Sequence, residues 1–241
     1  MIISHTYRYL FVELPRTGST AISRELRAHY DGKPILSKHA TYCDFLKSAS
    51  AEEKKYLVFA GIRNPLDDAV SHYFKYKTDH RQQFTDPRKV GKKRMSIYYF
   101  DKLAFHFVRQ RSADFPTFFK TFYKIPYNNW SQLSHKQFDF ILRFESIQDD
   151  FASALELIGI QPIRPLPIVN RTSGKAGDFW SYYTPEIIPR ARRIFGPFMK
   201  QWGYQFPPEW GPTEVPWWNQ LEFDVFNVFR SIYWKHLKAY L

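Results

Sequence analysis

Two rhythms of apolar and polar positions run along this chain, and each marks a kind of element. Tyr7 to Leu14 is an aromatic and branched run suited to a buried strand, closed by Pro15 and followed by Gly18, which permits a sharp turn. Ser19 to Tyr30, STAISRELRAHY, then places Ala21, Ile22 and Leu26 on one helical face, with Ser19 or Thr20 as candidate N-cap. Lys33 to Lys38 predicts a short second strand ending at His39. Tyr56 to Ile62 is almost wholly apolar, as a strand covered on both faces is. That third strand ends at Arg63-Asn64-Pro65, and Pro65 suits the first position of a helix running through LDDAVSHYFKYK. Met95 to Arg111 and Ala113 to Tyr123 predict two more helices, with Phe105, Phe115, Phe118, Phe119 and Phe122 as core. Phe138 to Glu145 predicts a fourth strand, followed by a helix capped by Ser146 and stopped near Gly159, and Pro185 to Lys200 predicts a late helix. A proline-rich connector, Pro207 to Pro216, leads to a last helix with Phe226, Phe229, Tyr233, Leu237 and Tyr240 on one face. That face has three uses to choose from: packing back on its own domain, a homodimer seam, or a membrane-surface helix.

Strands separated by helical segments place the chain in the α/β class, with a central parallel sheet of about four or five strands flanked by helices. The 241 residues fit one domain with elaborations, 1–207, and a C-terminal appendage, 208–241. A 44% hydrophobic content is enough for a core, and a net charge of +12 implies an anionic partner. Charge alone does not choose among nucleic acid, an acidic membrane surface and a phosphorylated or sulfated small molecule. The single cysteine, Cys43, excludes an internal disulfide and a cysteine metal cluster, and reads as a buried filler in a reducing compartment. With no secretory pattern after Met1 and no run of membrane-spanning length, cytoplasmic placement is expected.

The strand–turn–helix from Tyr7 to Ala21 is the most informative stretch. A helix start leaves its first amides unpaired and carries partial positive charge, so a loop entering it can seat a phosphate or sulfate, and Arg16 adds a fixed fork of donors. With one glycine and no following lysine, it is not a Walker loop. Pro15-Arg16-Thr17-Gly18-Ser19-Thr20 instead resembles the phosphosulfate loop of sulfotransferases that use 3'-phosphoadenosine 5'-phosphosulfate (PAPS). A second signature of that family, a strand ending in Arg-Asn-Pro with a serine eight residues beyond the arginine, is matched by Arg63 and Ser71. Relatives commonly carry arginine where Asp68 stands here. FDFILRFE, the later LGI and the segment LPIVNRTSGKAGDFW extend the resemblance to roughly Tyr7–Pro207.

The resemblance implies a three-layer P-loop-like fold. It also implies PAPS as donor, 3'-phosphoadenosine 5'-phosphate (PAP) as product, a hydroxyl acceptor and no metal. Arg16, Thr17, Gly18, Ser19, Thr20 and Ala21 would hold the phosphosulfate, Arg63 and Ser71 the 3'-phosphate, and Arg171, Ser173 and Lys175 would add contacts. Arg16 would also offset charge on the leaving phosphate. His39 lies between the two signatures, where hydroxyl-acting members often carry their base, and Glu13 or Glu145 is the alternative. The other seven histidines, His5, His29, His72, His80, His106, His135 and His236, read as surface or packing residues. Arg88, Lys89, Lys92, Lys93 and Arg94 form either a solvated charge run or the flank of a site for an anionic glycan acceptor. Two rivals are weaker. A P-loop kinase requires a lysine-bearing loop and magnesium carboxylates, and a nucleic-acid-binding module has no recognised motif to support it.

Overall fold

The computed structural model describes residues 1–90, 95–130, 138–169, 172–175, 178–211 and 214–237, with backbone alone for 95–98. The chain forms two compact units, one from Met1–Arg63, Asn128–Asn170 and Asp224–Leu241, the other from Asn64–Tyr127 and Arg171–Phe223.

The first unit holds a five-stranded sheet. Its strands are β1 (Ile2–Ser4), β2 (Tyr9–Val12), β3 (Lys33–Pro34), β4 (Leu57–Ile62) and β5 (Phe140–Arg143), in the order β3-β1-β2-β4-β5. β2 pairs parallel with β4 and β4 with β5, whereas β1 is antiparallel to both β2 and β3. The architecture is therefore α/β with a mixed sheet, which corrects the expectation of a parallel one. The reason is local: residues 5–8 form a turn too short for a crossover, so β1 and β2 can only meet as a hairpin. Lys33 to Lys38 is also not a full strand. Only two residues pair, both exposed, and Leu36 at φ 54° bends the chain out of the extended path. His39 thus sits in a loop beyond a strand stub rather than at a strand end.

Alternation along the paired strands sends Tyr9, Phe11, Phe59 and Leu142 to one face, where α1 (Ser19–His29) supplies Ile22 and Leu26 and α7 (Ile147–Leu157) supplies Phe151 and Leu155. These are almost completely buried side chains, each stabilising the unit by about 1.5–3 kcal/mol. The opposite-face residues Leu10, Val12, Val58, Ala60 and Ile62 are buried as well, which explains the unbroken apolar run of β4. On α2 (Tyr42–Ser48), Thr41 and Asp44 form a reciprocal capping box, and Cys43 is half-buried rather than enclosed.

The second unit is helical: α3 (Pro65–Lys77), α4 (Pro87–Val90), α5 (Met95–Gln110), α6 (Phe115–Phe122) and α8 (Ile188–Trp202). Pro65 opens α3 as expected, and the Asn64 side chain accepts the Leu66 amide at 3.0 Å. Phe115, Phe118 and Phe119 are buried in its core, with Phe105 and Phe122 packed partly buried against them. The last helix, α9 (Trp217–Ile232), is followed by a π-helical turn, Tyr233–Leu237. No described helix is long and apolar enough to cross a membrane.

Candidate functional site

The loop from β2 into α1 is held by four constraints that fix its path. Gly18, not Ser19 or Thr20, is the N-cap: it sits in the left-handed region at φ 78°, ψ 2°, and no side chain caps the helix. That conformation favours glycine, and a Cβ there would lie 2.5 Å from Ile147 Cδ1, the end of a side chain that would have to shift. Arg16 is also left-handed at φ 66°, a strained choice for a residue with a side chain. Thr17 is buried, and its hydroxyl donates to the Leu14 carbonyl at 3.0 Å, which assigns that side chain to holding the turn. Beneath it, a Cβ on Gly61 of β4 would come within 3.0 Å of the Thr17 carbonyl. Asn129 donates from Nδ2 to the Pro15 carbonyl at 3.1 Å. Beyond this, Ala21 is buried and its amide closes onto Gly18 at 2.9 Å, while the Ser19 and Thr20 amides stand at the helix start, where no intrahelical acceptor exists.

Cationic groups gather on the same turn. Arg63 leaves the carboxyl end of β4, next to β2, and its guanidinium donates to the Arg16 carbonyl at 3.3 Å. The same guanidinium lies 4.1 Å from the centre of the Phe144 ring, a cation–π contact that fixes its plane. Lys38 donates from Nζ to the Thr20 hydroxyl at 2.8 Å. The side chains of Arg63 and Lys38 thus contact the turn that carries Arg16 and the positive end of the α1 dipole, an arrangement suited to an anion with several oxygens.

His39 completes it. Its Nδ1 lies 2.6 Å from the Glu13 backbone carbonyl, and a carbonyl only accepts, so Nδ1 carries the proton and Nε2 of the neutral ring keeps its lone pair. Burial pushes the imidazole below its ordinary pKa. The Glu13 carbonyl works in the opposite direction, and the Lys38 charge reinforces burial. His39 is exposed by surface area, yet the protein packed around it desolvates the ring enough to decide the direction. Glu13 is buried, with its carboxylate 3.1 Å from the Met1 nitrogen, and Glu145 is exposed in a 3₁₀ turn.

The remaining candidates lie in the second unit. Ser71 is buried on α3. Lys175 pairs with the buried Asp67 carboxylate, and its ammonium is 5.3 Å from the Phe179 ring centre. Ser173 is exposed in a turn whose neighbour, Gly174, has φ 77°. Asp68 is buried and takes a 3.4 Å contact from the Tyr127 hydroxyl. Arg88 and Lys89 pair with Asp86 at 3.4 and 3.7 Å. Arg171, Lys92, Lys93, Arg94 and His135 lie outside the described residues.

Comparison with protein-family models, with curated proteins and with solved structures gives no match. The geometry of the loop stands beside the sequence motifs. It adds three residues to those the sequence singled out for roles at the loop: Lys38 as a cation on the helix start, Phe144 as the platform for Arg63, and Asn129 as the brace of Pro15. Only Lys38 left a sequence signal, as the basic neighbour of His39. The other two act through contacts distant along the chain.

Proposed function

We propose that this chain is a PAPS-dependent sulfotransferase of P-loop-like α/β type, moving a sulfuryl group to an acceptor hydroxyl. The observation that carries the reading is the pairing, within one unit, of a cation-rich helix start with a neutral histidine whose proton-accepting nitrogen is set by a backbone carbonyl. The donor supplies an activated sulfuryl group whose leaving group is a phosphate. The Ser19 and Thr20 amides would bind its anionic oxygens, and the Arg63 fork would grip a phosphate in bidentate fashion. As the sulfur–oxygen bond to the phosphate breaks, Arg16 and Lys38 would offset the charge left on that oxygen, an electrostatic contribution worth orders of magnitude in rate. His39 Nε2 would take the acceptor's proton as the acceptor oxygen bonds to sulfur.

A kinase reading lacks its lysine at the loop, where Arg16, ahead of Gly18, would take the cationic role. The excess of basic residues favours an anionic acceptor, so sulfated or carboxylated glycans head the acceptor classes to screen, before phenols, lipids and peptides. Thermal-shift measurements with PAP, ATP and a single-stranded oligonucleotide test the donor. Stabilisation by PAP supports the proposal, whereas stabilisation by ATP or the oligonucleotide without PAP would replace it.

A further inference from the structure

Helix α9 is apolar on two faces. Asn219 and Phe223 are buried and Phe226 is half-buried on one side. On the other, Trp217, Trp218, Leu221, Val225, Val228, Phe229 and Ile232 are 45% to 72% exposed. At about 100° per residue these seven fall within an arc of roughly 120°, a continuous stripe along the helix. The sequence-based face of Phe226, Phe229, Tyr233, Leu237 and Tyr240 is thereby divided: Phe226 and Tyr233 are half-buried, Phe229 and Leu237 are exposed, and Tyr240 lies outside the described residues. A helix apolar on both sides is suited to cover on both.

Five of the seven stripe positions are symmetric about Val225. Leu221 and Phe229 stand four residues either side of Val225, and Trp218 and Ile232 stand seven either side. An antiparallel pair of α9 helices with its two-fold axis at Val225 therefore sets Trp218 against Ile232, Leu221 against Phe229 and Val225 against itself. Such a self-complementary patch is what an isologous contact needs. From their exposures the seven side chains present on the order of 800 Å² per copy, comparable to what one partner contributes to a stable interface. A lipid surface fits less well. Membrane-surface helices are basic on their polar face, whereas α9 carries Glu222 and Asp224 against one Arg230, and Arg193 already pairs with Glu222.

We propose that α9 forms a homodimer interface, two copies packing antiparallel about a two-fold axis through Val225. This goes beyond the proposed activity and stands independently of it. The test is the solution mass of the full chain at tens of micromolar, with twice 28.9 kDa expected. Val225→Glu, which puts two like charges on the axis, is expected to give a single-chain mass with an unchanged far-UV circular dichroism spectrum. In a Cys43→Ser background, Val225→Cys is expected to form a disulfide-linked dimer under mild oxidation, while Glu209→Cys at the same concentration stays unlinked. A single-chain mass for the unaltered protein together with no Val225→Cys cross-link overturns the proposal. A monomer that sediments with phosphatidylserine vesicles, and loses that binding when Leu221 and Phe229 become serine, overturns it in favour of a lipid surface.

Discussion

A histidine whose Nδ1 is committed to a backbone carbonyl can accept a proton only through Nε2, and His39 meets that condition at 2.6 Å. His39→Ala is expected to lower turnover about a hundredfold while PAP affinity, read by calorimetry, stays within about twofold. Because burial lowers its pKa from the ordinary 6.5, the acid limb of kcat/KM is expected below that value in the free enzyme. The same shift sets a stability window. The folded ring stays neutral where an unfolded one takes a proton, so this contribution is lost as pH falls from about 6.5 towards the lower folded value. An acid limb at or above 6.5, or full turnover in His39→Ala, would move the base to another group.

At the level of elements, the turn into α1 depends on Gly18. Gly18→Ala puts a side chain at a left-handed φ and makes the end of Ile147 shift, which is expected to destabilise the protein by about 1–3 kcal/mol in denaturant melts and to weaken PAP binding at least tenfold. Asn129, which braces the same loop, would show a smaller loss of the same kind. The helices α1, α3, α5 and α6 were legible because their apolar spacing and flanking signals, such as Pro65 after Asn64, are local properties. The strand β4 was legible for the same reason. β1 was not, since three residues ahead of a polar turn carry too little pattern to distinguish from a chain end, and β3 shrank to two residues because Leu36 turns left-handed. For the site, the loop and Arg63 could be read from strand-end placement, whereas His39, singled out on the same ground, stands in a loop beyond a strand stub. The Phe144 platform and the Glu13 carbonyl under His39 could not, because both arise from pairing between segments that only the sheet order brings together.

For the whole molecule, acid unfolding is expected to report on the ionic tie between α1 and the chain beyond α7. Arg164 meets Glu25 through two bonds of 2.9 and 2.8 Å, and this hydrogen bonding holds the almost fully buried carboxyl below its usual range. A depressed carboxylate stabilises above its unfolded pKa near 4.5 and loses that contribution as pH falls through the folded value. Arg164→Ala is therefore expected to lower Tm at pH 7 and to raise the pH at which acid unfolding occurs, and an unshifted acid midpoint would show that the pair does not govern it. Anion binding at the start of α1, as proposed, is the property on which the function rests. Its most direct test is calorimetric binding of PAP, of adenosine 5'-phosphosulfate and of ATP to the unaltered chain and to Arg63→Ala. PAP is expected to bind more tightly than ATP, and Arg63→Ala to weaken PAP by about 2–4 kcal/mol and adenosine 5'-phosphosulfate, which lacks the 3'-phosphate, by less. Tighter binding of ATP than of PAP, or equal losses for both adenosine ligands in Arg63→Ala, would contradict the proposal.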